Sequence, residues 1–213
     1  MKIFITGIDT GVGKTFFTGL LGKEIMKYKR VITFKFIQTG NKDNISEDII
    51  THRKIMGIDT LKEDIEGLTC PYVFKFPSSP HLAARLENNV IDTFIVEKNI
   101  DILLKNYDYV LIEGAGGVYV PIRENFFTIE WIKKEKLPVI IVSNPRLGSI
   151  NHTLLTFEAL KTKNIKIIGI FYNRFFKENN EIENDTFNLF KTYFKDIIVS
   201  DNVTDFLNPI LSL

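Results

Sequence analysis

Six short runs of this chain are apolar on successive residues and rich in β-branched and aromatic side chains. They are KIFITG (2–7), VITFKF (31–36), YVLIEG (109–114), PVIIVS (138–143), IKIIGIFYN (165–173) and, less clearly, DIIVS (196–200). A strand with one wet face alternates apolar and polar residues, whereas a strand covered on both faces does not. The runs therefore predict a buried, mostly parallel sheet. Helix-like segments lie between them, at about 14–28, 46–56, 92–105, 149–162 and 183–194. In the third, Asp92 is placed to cap the helix, and Phe94, Ile95, Ile102 and Leu103 are expected on one buried face. Strand alternating with helix specifies a doubly wound α/β fold with helices on both faces of the sheet. Residues 57–91, which include Pro71, Pro77 and Pro80, are less regular. They read as an excursion with a short helix near 80–88, so that residues 1–213 form one domain.

The 213 residues, 45% of them hydrophobic, suffice for one well-packed core. Lysine and arginine number 27 and the acids 26, for a net charge of +1. That balance supplies no field for general binding to nucleic acid or to an anionic membrane surface. The single cysteine, Cys70, excludes an internal disulfide and fits a reducing cytoplasm. Nothing beside it in LTCPYVF supplies a base, so it is expected as a buried thiol. The opening MKIFITGIDT has one lysine and a short apolar run ended by Gly and Asp, unlike a targeting signal. No apolar stretch approaches the ~20 residues that span a bilayer.

In a doubly wound fold, ligands bind beyond the C-terminal ends of the strands. The first strand runs into TGIDTGVGKTF, which departs from the usual phosphate-loop pattern G-x-x-x-x-G-K-[ST] because its first glycine is Gly7, with Ile8 where the pattern expects it. Gly11 and Gly13 permit backbone conformations closed to other residues, and Lys14-Thr15 open a helix. A helix start offers free N–H groups to an anion, Lys14 can reach a β/γ-phosphate, and the Thr15 hydroxyl can ligate Mg²⁺. Lys35, between two phenylalanines at the end of the second strand, is either an edge lysine that reaches water or one that meets an anion. Thr39-Gly40 then form a polar turn. Glu113 ends a very apolar strand and is followed by Gly114, Gly116 and Gly117, an arrangement suited to a metal-binding carboxylate beside phosphate. Asp48 offers a second carboxylate, and spacing does not separate it from Glu47. In RLGSINH (146–152), Ser149 or Asn151 is placed to cap a helix and His152 reads as a packing or capping residue. Asn173 and Arg174 end the fifth strand, where an amide can read an adenine edge or support a turn.

GIDTGVGKT, FKFIQTG, SSPHLAAR, VLIEGAGGVYVPI, LPVIIVSNPRLGSINHTLLT and FYNR occur in the order and approximate spacing of the dethiobiotin synthetases. The chain resembles that family from residue 1 to about 175. The resemblance implies a P-loop NTPase-like fold and an ATP- and Mg²⁺-dependent enzyme that forms the ureido ring of dethiobiotin from 7,8-diaminopelargonic acid and CO₂, through a carbamate and a carbamic–phosphoric anhydride. It implies that Thr10, Gly11, Val12, Gly13, Lys14 and Thr15 wrap the ATP phosphates, and that Thr15, Asp48 and Glu113 hold Mg²⁺. Lys35 would be the catalytic lysine, supported by Lys14 and Thr10. Glu113, Gly114, Ala115 and Gly116 would line the γ-phosphate side, with Thr39, Gly116 and Gly117 toward the diamine. Asn173, followed by Arg174, would meet the adenine. The family is dimeric, and Leu147, Gly148 and Asn151 would reach the carboxylate tail of the substrate in the partner subunit.

Three departures from the family pattern bear on the chain. Phe36 follows the catalytic lysine where proline is usual, Arg174 stands where an acid is common, and the C-terminal IVSDNVTDF lacks the usual proline turn. The rival reading is a nucleotide-switch ATPase of the partition or septum-positioning type. That group carries an early signature lysine where this chain has Ile8, Asp9 and Thr10, and often a basic tail, which NVTDFLNPILSL is not.

Overall fold

The computed structural model describes residues 1–175 and 179–213. In chain order its elements are β1 (Lys2–Gly7), α1 (Lys14–Ile25), β2 (Val31–Lys35), α2 (Glu47–Met56), α3 (Lys62–Ile65), α4 (Pro80–Leu86), α5 (Thr93–Leu103) and β3 (Tyr109–Glu113). There follow β4 (Pro121–Arg123), β5 (Phe126–Phe127), α6 (Thr128–Lys134), β6 (Val139–Ser143), α7 (Ser149–Thr162), β7 (Ile167–Tyr172), α8 (Asn180–Tyr193), β8 (Ile198–Ser200) and, after a 3-10 turn at Val203–Phe206, α9 (Leu207–Leu211). Among the described residues six strands form one sheet in the order β2-β3-β1-β6-β7-β8, with every neighbouring pair parallel. The pair β4–β5 is antiparallel and lies apart from it.

The continuous apolar runs divide by residue parity into two cores. Phe4, Ile32, Phe34, Val110, Ile112, Val139 and Ile141 face one cluster, which α4 to α8 complete with residues such as Val96, Trp131 and Phe190. Ile3, Ile5, Tyr109, Leu111, Ile140 and Val142 face the other, against Phe17, Leu21 and Ile25 of α1, Met56 of α2 and Phe206 and Ile210 near the C-terminus. Each strand is thus apolar on both sides because each side has a helical layer to meet.

Several local expectations are corrected. Asp92 does cap α5, its carboxylate accepting from the Phe94 N–H at 2.9 Å. The buried face, however, is Thr93, Val96, Ile100 and Leu103, while Phe94 is 66% exposed and Ile95 is exposed too. Residues 96, 100 and 103 keep the four-three spacing of one helix stripe, and Phe94 and Ile95 point off it. Neither Ser149 nor Asn151 caps α7; Gly148 occupies that position with φ 90° and no side-chain hydrogen bond. The β4–β5 pair and α6 had no sequence signal of their own. They bring in Trp131, which is fully buried and stacks on Phe36 with ring centroids 4.4 Å apart.

The excursion over 57–91 covers the exposed edge of β2. The Lys35 N–H donates to Thr69 O at 2.8 Å, the Gln38 N–H to Tyr72 O at 2.8 Å, and the Phe74 N–H to Gln38 O at 2.9 Å. Backbone groups at the C-terminal end of β2 and in the segment just after it are thereby paired. The excursion is tied to α2 by a buried, bidentate pair: Arg53 Nε and Nη2 donate to the two oxygens of Asp64, each at 2.8 Å. Arg53 Nη1 also donates to Thr33 Oγ1 at 2.7 Å. Burial pushes the Asp64 carboxyl up, but the hydrogen bonds and charge of Arg53 outweigh it and hold it below the ordinary value.

Removing one partner of such a pair leaves an uncompensated buried charge. Arg53→Met is expected to cost ~3–5 kcal/mol in urea denaturation. Because the folded carboxyl titrates below the unfolded one, the stability it contributes is complete above pH ~4 and is lost as pH falls through the depressed folded value. The variant should lack this part of the acid slope.

Candidate functional site

The loop between β1 and α1 explains its displaced glycine. A Cβ on Gly7 would lie 2.6 Å from Val12 Cγ2 and 2.8 Å from the Asp9 carbonyl oxygen, because the loop folds back over the strand end. Gly11 and Gly13 have φ of 70° and 95°, and α1 begins at Lys14 with no side chain capping it. The first N–H groups of α1 are therefore free for an anion. Lys14 is buried under the loop and donates to Asp9 O at 2.9 Å. Burial, reinforced by the Lys35 charge, pushes its ammonium down to about 8.

Parallel register places Lys35 of β2 opposite Glu113 of β3 at the same sheet edge. Lys35 is only 4% exposed although β2 is an edge strand, so it does not reach out to water. Its Nζ lies 2.9 Å from Glu113 Oε1 and 2.5 Å from Asp48 Oδ2, and donates to Gly114 O at 3.2 Å. Burial opposes the charge on Lys35, but Glu113 and Asp48 outweigh it and hold the ammonium above the ordinary lysine value. Burial likewise opposes charge on Glu113, and Lys35 and His52 hold its carboxyl well below the usual range. Both groups are thus ionised.

The Thr15 hydroxyl lies within hydrogen-bond distance of Glu113 Oε1 at 2.9 Å and Asp48 Oδ1 at 3.1 Å. Two carboxylates and a hydroxyl from three separate elements therefore converge on one point. Hard oxygen donors in this small number fit Mg²⁺, which keeps waters and phosphate oxygens as its other ligands. Among the described residues no group of three or more His, Cys, Asp or Glu side chains is placed to hold a metal ion, so the donor set here is two carboxylates and a hydroxyl. The choice that spacing left open is resolved by direction: Asp48 faces this point, whereas Glu47, one residue earlier, is exposed.

A cavity of about 870 Å³ opens over these groups, within the size range of small-molecule sites. Thr10, Gly11, Gly13, Lys14 and Thr15 of the phosphate loop line it. So do Lys35, Thr39, Asp48, Glu113, Ala115, Gly116 and Asn173. Asn173 Nδ2 donates to Val12 O at 3.0 Å, and its Oδ1 accepts from the Phe175 N–H at 3.1 Å, so it fixes the phosphate loop to the end of β7. Among the described residues, one N–H and one lone pair of the amide are left over.

The other expected residues lie off the cavity wall. Val12 is a core residue. Gly114 serves close packing, since a Cβ there would meet the Phe4 ring at 2.8 Å, whereas one on Gly117 would make only ordinary contact, 3.5 Å from Gly7 O. Leu147 and Gly148 belong to the β6–α7 turn and Asn151 to the first turn of α7, and Leu147 is 94% exposed. Arg174 turns away, its Nε 2.7 Å from Asp201 and its guanidinium carbon 4.6 Å from the Phe187 ring centroid. Cys70 is the expected buried thiol, with burial pushing it up to about 12.

Two participants were not foreseen. Gln38 Oε1 accepts from Ser46 Oγ at 2.6 Å and from the Asp48 N–H at 3.4 Å, which fixes the start of α2. His52 Nε2 lies 2.7 Å from Glu113 Oε2. Its signal was its place four residues after Asp48, one helical turn along.

A glycine-rich turn feeding free helix N–H groups, with a buried lysine beneath, is built to hold phosphate. On this sheet it defines a P-loop nucleotide-binding protein. The family model described as an AAA domain matches residues 1–199. A plasmid partition protein from Borrelia burgdorferi superposes with a TM-score of 0.60 at 16% identity, covering 98% of this chain and 95% of that one. The ParA family ATPase from Chlorobium tepidum superposes with a TM-score of 0.55 at 17% identity, over 93% and 83% of the two chains. At such identities the likeness is one of fold. Among curated proteins, ATP-dependent dethiobiotin synthetase BioD 2 of Haemophilus influenzae is 52% identical over 172 residues, 80% of this chain and 90% of the relative. The BioD 2 of Pasteurella multocida is 46% identical over 191 residues, covering 89% of each. The chain belongs to the dethiobiotin synthetase family.

The collision at Gly7 makes the loop testable. Gly7→Ala is expected to leave the far-ultraviolet circular dichroism unchanged and to weaken ATP binding by ~10-fold or more, ~1.4 kcal/mol, in titration calorimetry.

Proposed function

We infer that the chain is an ATP-dependent dethiobiotin synthetase, closing the ureido ring of dethiobiotin from 7,8-diaminopelargonic acid and CO₂. The observation that carries this reading is a second buried lysine, Lys35, on the cavity wall facing the phosphate loop, in a chain whose relatives bear that name. One amine of the diamine captures CO₂ as a carbamate. A carbamate oxygen attacks the γ-phosphorus, the bond to the bridging oxygen of ADP breaks, and a carbamic–phosphoric anhydride results. The second amine attacks the carbonyl carbon and expels phosphate, which closes the ring.

Each of these species is anionic, so the protein's task is to supply positive charge and position. Lys35 is held charged by its carboxylate neighbours and acts as a fixed cation, not a base. Lys14 sits beside the loop amides on the phosphate side, with Thr10 to Thr15 around the triphosphate. Thr15, Asp48 and Glu113 are the residues to hold Mg²⁺, which offsets phosphate charge when bound. Thr39 and Gly116, which also line the cavity, are the residues we assign to the diamine.

We further propose that the enzyme works as a homodimer in the cytoplasm. Leu147, Gly148 and Asn151 lie off the cavity of their own chain, and an exposed turn and helix start is what reaching a partner's substrate requires. Among the described residues no helix is long and apolar enough to cross a membrane.

Incubation with diaminopelargonate, labelled bicarbonate, ATP and Mg²⁺ should place label in an acid-stable cyclic urea. ATP hydrolysis without incorporation would instead favour a nucleotide switch. Lys35→Ala should still bind ATP while losing ~10²–10³-fold in kcat, the scale set by removing one such charge contact. Near-normal turnover would remove Lys35 from the chemistry. Sedimentation equilibrium should give twice the 24.6 kDa chain mass, and a monomer at working concentration would sink the shared-site reading.

A further inference from the structure

His52 is completely buried on α2, one turn after Asp48. Its Nε2 lies 2.7 Å from Glu113 Oε2. An ionised carboxylate only accepts, so Nε2 carries the proton and donates it to this bond. The two oxygens of Glu113 are thus divided. Oε1 faces Thr15 Oγ1 and Lys35 Nζ, each at 2.9 Å, while Oε2 is held from behind by the imidazole. The other ring nitrogen, Nδ1, is buried with no hydrogen-bond partner among the described residues. A ring that only filled the core would leave both nitrogens a burden on stability. This one spends a buried polar group on a single contact, and that contact is with a strand-end carboxylate.

We propose that His52 is a positioning residue that locks the Glu113 carboxylate with Oε1 toward Thr15, and so sets the affinity of the site for a divalent cation. The proposal rests on the reading of Thr15, Asp48 and Glu113 as the metal-binding set. α2 then delivers two parts at once: Asp48 into the cavity, and His52 behind the opposing carboxylate. Without the imidazole, Glu113 can turn about its terminal bond and carry Oε1 off the point where the three oxygens meet. Hydrogen bonds to a metal-binding carboxylate are typically worth ~10–100-fold in metal affinity.

The test uses the full chain, saturated with a non-hydrolysable ATP analogue, and follows Mn²⁺ binding by electron paramagnetic resonance. His52→Leu should raise the Mn²⁺ dissociation constant by ~10–100-fold. His52→Gln, whose amide nitrogen reaches about as far as Nε2, should recover most of the loss. Analogue binding without metal should be unchanged in both, and in turnover the variant should need more Mg²⁺ while keeping kcat at saturating metal. If His52→Leu does not fold, His52→Asn, with an amide ending short of Glu113, carries the same expectation. Wild-type Mn²⁺ affinity in a folded His52→Leu, equal weakening of metal-free analogue binding, or failure of both variants to fold would each overturn the proposal. Glu113→Gln separates the two levels. Unchanged Mn²⁺ affinity there removes Glu113 from the metal set. Weakened affinity there, with none in His52→Leu, removes only the role of His52.

Discussion

A lysine and a glutamate face each other at the ends of two buried parallel strands, and the site is arranged around the need to keep both charged. Lys35 and Glu113 are register partners, and both are shielded from water. Neither position would tolerate a lone charge. Two more groups from α2, Asp48 and His52, complete the shell around the pair. The cations Lys14 and Lys35 and the carboxylates Asp48 and Glu113 sum to zero, so these four groups balance one another. A polyphosphate entering with a divalent cation brings charges of both signs and disturbs that balance far less than a bare anion would.

This makes α2 the element on which precision depends. Its start is fixed by Ser46, whose side chain accepts from the Ile49 N–H, and by Gln38. Its end closes at Gly57 with φ 75°. Ile49 and Met56 bury into the cores beside it, and Arg53 anchors it to the excursion and to Thr33 on the neighbouring strand. The irregular stretch 57–91 is therefore not idle chain: through Asp64 it holds the helix that carries a carboxylate and an imidazole into the site. Groups on strands and an anchored helix hold their geometry more tightly than groups on loops.

Much of this was legible in the sequence for identifiable reasons. Strands covered on both faces announce themselves as continuous apolar runs, and all six were found within a few residues of their observed ends. Lys14 and Thr15 were legible because a phosphate loop needs them at a helix start. Lys35 was suspected because a lysine between phenylalanines has to be compensated. Spacing did not separate Asp48 from Glu47, since adjacent helical residues differ by ~100°, and in the sequence only the family resemblance pointed to Asp48. His52 carries no strand-end signal, because it lies on a helix that packs back against the strand ends. The α5 face was misread because Phe94 and Ile95 are apolar yet lie off the stripe that packs.

The three departures from the family pattern reduce, in the structure, to two local substitutions, and neither touches the phosphate end. Phe36 turns into the cluster of Phe4 and Trp131, stacking on the indole, so the residue after Lys35 is held by packing rather than by a proline ring. The change at Arg174 and the change in the C-terminal segment belong together. Arg174 stands where an acid is common, and it meets Asp201, which lies in that segment. Both side chains are partly exposed, so the pair adds at most ~1 kcal/mol. Its consequence is directional: the guanidinium leans over Phe187 toward α8 and β8, away from the cavity. Near that point Asn173 lines the cavity with its amide bonded to Val12 and Phe175, whereas the phosphate loop keeps its full set of charges.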